Sequence, residues 1–171
     1  MRPWPARSVA RLGLLAGTAA ILFVLESLAP RPVPWLRLGL GNLPVLVALL
    51  LDGFGAALCV SLAKILLGGL FSGALGGPAT VLALGASLAS LAAMALVRRL
   101  APRLFSPVGL SIVGAVVHQV TQLALAARFV GHLGVLALLP LSLLAGLASG
   151  ACTGLLAAWT WERLREPSGP S

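Results

Sequence analysis

With 171 residues, 59% of them hydrophobic and only 9% charged, the chain holds more apolar surface than a soluble fold of its size could cover; soluble domains run at about 45–50% apolar and 25% charged. A net charge of +8 in a soluble protein would point to nucleic acid, but here the basic residues stand in short clusters beside hydrophobic runs, which is the pattern of membrane topology. These features exclude a soluble catalytic domain and a nucleic-acid partner. One all-α integral membrane domain over residues 1–171, with about six transmembrane helices, is the reading.

The first helix is predicted over residues 9–29, preceded by Arg2, Arg7 and Arg11. Its end at Ser27-Leu28-Ala29 imitates a signal-cleavage site, but Pro30 follows directly and further hydrophobic runs come after, so the segment is expected to be retained. Pro30, Pro32 and Pro34, with Trp35 behind them, form a stiff extended connection, because proline fixes φ and removes a donor. The second helix, 42–52, is short enough to be tilted or to reach only part-way across. The third covers 54–70. Gly68 to Pro78 then supplies five glycines after the first pair's start and a proline, a composition that unwinds helices. The fourth helix is predicted over 78–98, opening on proline in its first turn; the fifth and sixth cover 107–127 and 133–161. Cys59 and Cys152 fall inside helices with no metal-type spacing, so neither a disulfide framework nor a metal site is expected.

Six crossings place both termini on one side. With that side cytoplasmic, Arg2, Arg7, Arg11, Arg98, Arg99, Arg103, Arg163 and Arg165 lie inside, against Arg31, Arg37 and Arg128 outside. The imbalance favours cytoplasmic termini in a multi-pass protein of the cell membrane. Trp4, Trp35, Trp159 and Trp161 fall at the predicted interfaces, where amphipathic rings settle.

Ionisable groups inside the bilayer are the most informative residues, since each costs about 2.5–3.5 kcal/mol at a helix centre on insertion scales. Lys64, the sole lysine, stands ten residues after Phe54 and so about 15 Å along its helix. Glu26 lies about 22 Å along the first helix from Arg11. His118 sits near mid-depth in the fifth helix, with Gln122 one turn further on the same face. Together with Asn42 these residues converge on the outer half of the membrane and outline a substrate pocket. Structural alternatives stand beside each: a snorkelling or salt-bridged lysine, an interfacial carboxylate, and hydrogen bonding between helices along Ser111, Gly114, His118 and Gln122. The N-termini of the second and fourth helices open on the same side and favour an anionic group, unless Asn42 and water merely cap them.

Ser142, Gly146, Gly150 and Gly154 recur every four residues in the sixth helix, a spacing for close helix packing. Ala16 and Ala20 repeat it in the first helix, either for packing or as a docking face for another membrane subunit. No P-loop, HExxH motif or Ser-His-Asp set is present, and Asp52 is the only aspartate, so no acidic pair could hold Mg²⁺ against a diphosphate. No catalytic residue and no cofactor is expected.

Four stretches in order carry a resemblance: Leu25-Glu26-Ser27-Leu28-Ala29-Pro30, Leu38-Gly39-Leu40-Gly41-Asn42, Ser61 to Leu70, and Gly114 to Leu123. They resemble the bacterial Gx transporter family, which is also labelled heptaprenyl diphosphate synthase component I. The resemblance implies a six-helix fold similar to the substrate-binding S components of energy-coupling factor transporters, which work with a transmembrane T subunit and two ATPases. By position it assigns Glu26, Asn42, Lys64, His118 and Gln122 to the family's polar motifs, and Ala16 and Ala20 to the face that meets the partner. Gln119 stands where the family often has asparagine, which makes it a doubtful site residue. Two functions stay open: a substrate-binding and translocating subunit for a small molecule, with anionic and isoprenoid-related compounds among the candidates, and a non-catalytic membrane partner of a soluble polyprenyl diphosphate synthase.

Overall fold

The computed structural model describes residues 6–28 and 39–165. The Pro-rich connection with Trp35, the outermost arginines Arg2, Arg31 and Arg37, and Trp4 lie outside the described residues. Six α-helices follow in order: α1 (Ala6–Leu28), α2 (Leu43–Asp52), α3 (Phe54–Phe71), α4 (Pro78–Leu100), α5 (Pro107–Val130) and α6 (Leu139–Arg165). Short 3-10 turns, Leu40–Asn42 and Leu133–Leu138, lead into α2 and α6.

Five of these helices, all but α2, are long and apolar enough to cross a membrane. At ten residues, α2 is only about 15 Å long, half of a bilayer's hydrocarbon thickness. Its sequence is apolar on every side, which commits it to burial. Val45, Leu46, Val47, Ala48 and Leu49 are each at most 3% exposed, and α2 packs against α1, α3 and α6. The short helix is therefore the centre of the bundle rather than another wall of it. Around it, α1 packs on α3, and α5 lies between α4 and α6.

A buried half-length helix leaves its last carbonyls without helical partners, and here distant arginines meet them. The Arg98 guanidinium, from the end of α4, donates through Nη1 to the Leu49 carbonyl and through Nη2 to the Leu50 carbonyl, the latter at 3.1 Å. Asp52, the last residue of α2, accepts from Arg11 Nε at 3.0 Å and pairs with the Nη2 of the same residue. The start of α1, the end of α2 and the end of α4 thus meet at one end of the molecule, the basic end. Gly53, at φ +87°, reverses the chain there from α2 into α3.

Between α3 and α4 the glycine-rich stretch does less unwinding than its composition predicts. The helix runs through Gly68 and Gly69 to Phe71, and the break covers only residues 72–77, with Gly73 and Gly76 at positive φ. Packing explains Gly68: a Cβ there would lie 2.3 Å from Cδ1 of Phe23 on α1, so the glycine makes room for the ring while its backbone stays helical.

The glycine stripe of α6 seats directly on α5. A Cβ on Gly150 would meet Ala115 Cβ at 2.9 Å, and one on Gly154 would meet Val108 Cα at 2.7 Å. A backbone atom cannot yield as a side-chain tip can. Gly154→Ala is expected to cost about 1–3 kcal/mol by overpacking, whereas Gly55→Ala, with open space around it, is expected to be neutral or slightly stabilising. Thermal unfolding in detergent micelles compares the two.

Candidate functional site

The site forms at the end of the bundle opposite the arginines, around the turn that starts α2. Gly39 adopts a left-handed conformation (φ +77°) and its N–H donates to the Glu26 carboxylate, so α1 holds the turn in place. Glu26 is only 8% exposed. Gly41 tucks against α1, where a Cβ would be 3.3 Å from the Ala19 carbonyl oxygen and 3.2 Å from Lys64 Cδ. This close approach aims Asn42 into the bundle.

Asn42 occupies the N-cap position of α2, where an asparagine side chain ordinarily accepts from the helix's first free N–H groups. It makes no such bond. Its Oδ1 instead accepts a hydrogen bond from Lys64 Nζ at 2.6 Å, so the capping role weighed from sequence gives way to an ammonium, a stronger partner. Lys64 is 3% exposed, and its Nζ also stands 3.4 Å from Ser87 Oγ on α4.

All five polar residues expected from sequence come together. Glu26, Asn42, Lys64, His118 and Gln122 line one cavity with Phe23, Gly39, Gly41, Ala83 and Ser87. A second cavity adjoins it across Gly39, Asn42 and His118, and runs along α5 toward α6, past Ser90, Ser111, Gln119, Ser149 and Thr153. Gln119, doubtful from the sequence, forms part of that wall at 4% exposure. The two chambers differ chemically. The first contains a lysine and a glutamate, the second neither. Most hydroxyls of the second are engaged in holding helices together: Ser90 Oγ donates to the Gly114 carbonyl at 2.8 Å, and Ser111 Oγ and Thr153 Oγ1 share a hydrogen bond of 2.9 Å. Interhelical hydrogen bonding, the structural alternative for the α5 stripe, thus accounts for Ser111.

The cavities measure about 20 and 30 Å³, enough for a water or two and too little for an organic solute. What they supply is a largely buried set of donors and acceptors: one ammonium, one carboxylate, an imidazole and three amides, in a low-dielectric setting that strengthens each contact. Ser87, Ser90, Ser149 and Thr153 are the polar lining residues that the sequence reading did not single out. Their only sequence signal is helical spacing, Ser87 with Ser90 and Ser149 with Thr153.

The paired alanines of α1 fall elsewhere. Ala20 is 5% exposed, at the floor of an apolar groove between α1 and α3 that also involves Ile21, Val24, Leu67 and Phe71. Ala16 is half-buried. The exposed surface of α1 includes Val9, Ala10, Gly13, Leu14, Thr18, Ile21, Leu25 and Leu28. Packing within the chain, the first of the two sequence readings, describes Ala20.

Among the described residues no three His, Cys, Asp or Glu side chains gather as a metal site would require. No curated protein and no solved structure matches the chain significantly. The sequence profile of one family does match, over residues 15–160, which takes in the second half of α1, every lining residue of both cavities and most of α6. By that match the protein, a multi-pass bundle of apolar helices, belongs to the heptaprenyl diphosphate synthase component I family.

Proposed function

We propose that the chain is the substrate-binding and translocating subunit of a membrane transporter, taking a small polar solute through the Lys64 chamber. One observation carries the reading: α1, the turn before α2, α3, α4 and α5 together bring Glu26, Asn42, Lys64, Ser87, His118 and Gln122 to a single cavity. Burying a lysine and a glutamate in a membrane helix bundle is costly, and such residues mark ligand or ion pathways by default. An anionic group of the solute would face Lys64 and its hydrogen-bond donors would face Glu26 and Gln122.

Entry requires the chamber to enlarge. The smallest change that does so is displacement of the Leu40–Asn42 turn, which breaks the Gly39–Glu26 and Asn42–Lys64 contacts and leaves α2 anchored by its arginines. We assign the basic end and both termini to the cytoplasm, following the arginine imbalance, so that the chamber faces outward. A T subunit with two ATPases would then dock along the membrane-facing surface of α1.

The family's description favours a second reading, a membrane component of a heptaprenyl diphosphate synthase. The chambers speak against a prenyl ligand there, since polar side chains interrupt their walls and a polyprenyl tail needs a long, continuous apolar channel. With four carboxylates in the chain, one of them paired with Arg11, a Mg²⁺–diphosphate site is equally hard to build. Mild-detergent co-purification from the native membrane separates the two. ATPase subunits and a second membrane protein are expected; stoichiometric recovery of a soluble prenyl synthase would support the second reading instead.

A further inference from the structure

We propose that the groove at the basic end, between α3 and α4, is a binding site for one anionic phospholipid, independent of the solute chamber. Among the described residues, two lateral grooves are of similar size. The one between α1 and α3, about 520 Å³, is lined by apolar residues throughout. The other, about 610 Å³, carries apolar residues along its length, among them Phe54, Ala92 and Leu96, and ends at Arg98 and Arg99. Phe54 is 48% and Leu96 57% exposed, so an acyl chain can lie along them. The rim then places a headgroup beside two guanidinium groups.

Charge selects the occupant. Around this end the described residues place Arg11, Arg98, Arg99 and Arg103; Asp52 is already paired with Arg11, and Glu162 on α6 is not among the groove's lining residues. Arg98 spends Nη1 and Nη2 on the carbonyls of α2 and so is fixed in direction, while Arg99, one residue on, is exposed. A guanidinium matches a phosphate by paired N–H donors, and basic pockets between transmembrane helices recruit anionic headgroups in this way. A zwitterionic lipid fits the same apolar groove but brings its own cation against the arginines. The site would tie the lipid environment to the cap of α2, because Leu49, whose carbonyl Arg98 holds, also lines the groove.

Native mass spectrometry of the full chain in detergent micelles tests this with phosphatidylglycerol and phosphatidylcholine of identical acyl chains, so that the tail contribution cancels. The parent is expected to retain phosphatidylglycerol about tenfold over phosphatidylcholine, and Arg99→Gln to lower that ratio about fivefold. Ala92→Trp, which fills the groove from an exposed position, is expected to reduce retention of both lipids, and Arg128→Gln, at the opposite end, to change nothing. Equal retention of both lipids by the parent would overturn the proposal, as would an unchanged ratio in Arg99→Gln. So would displacement of the lipid by millimolar glycerol phosphate, which would mark a site for a free anion instead.

Discussion

Replacing Arg98 with alanine is expected to destabilise the protein by about 2–4 kcal/mol, more than any other change at the basic end. Hydrogen bonds to a charged group contribute about 1.5–3 kcal/mol each, and Arg98 makes two, to the Leu49 and Leu50 carbonyls; partial exposure of the arginine lowers the sum. The carbonyls left behind belong to the last turn of α2, which has no helical donors of its own for them. Arg98→Lys keeps the charge but loses the planar fork, and is expected to recover about half. Unfolding in detergent gives the magnitude. Hydrogen exchange gives the location, with the amides of α2 losing protection first. Melting of Arg98→Ala within about 0.5 kcal/mol of the parent would mean that the arginine is a topological marker only.

Lys64→Met separates structure from ligand binding. Methionine has nearly the volume of the lysine stem, and the cost of burying an ammonium goes with the substitution. Asn42 Oδ1 would lose its 2.6 Å donor, at a cost of about 1 kcal/mol. Stability is therefore expected to stay within about 1 kcal/mol of the parent, while affinity for an anionic solute falls about 100-fold, the scale for removing one side of a buried charge-assisted contact. A purely structural lysine would give the reverse, several kcal/mol of lost stability and unchanged retention of any bound molecule.

The helices were legible because proline and glycine punctuate them. Pro44, Pro78 and Pro107 stand in the first turns of α2, α4 and α5, and Gly53 and Gly131 close α2 and α5. Lys64, Glu26, His118 and Gln122 were legible for a different reason: inside an apolar run each is costly, so its presence needs a partner. Hydroxyls give no such signal. Thr153 satisfies itself on the Ser149 carbonyl one turn back, so in sequence it reads as one more small residue of α6. Arg98 was legible only in part. Beside Arg99 it reads as a topology marker, and its bond to α2 spans some 49 residues of sequence, a distance at which no local pattern announces it. Asn42 shows the limit of local rules, since a residue at a cap position abandons the cap when a buried ammonium lies within reach.

The central claim is that the Lys64 chamber holds a polar solute, and the direct test is the small molecule that the protein carries out of the membrane. The parent and Lys64→Met, purified identically and shown to melt alike, would be denatured and their extracts compared by mass spectrometry. The account expects one polar compound with an anionic group, near equimolar with the parent and absent from the variant. The same compound in equal amount from both proteins, or only lipids and polyprenyl species from the parent, would contradict it.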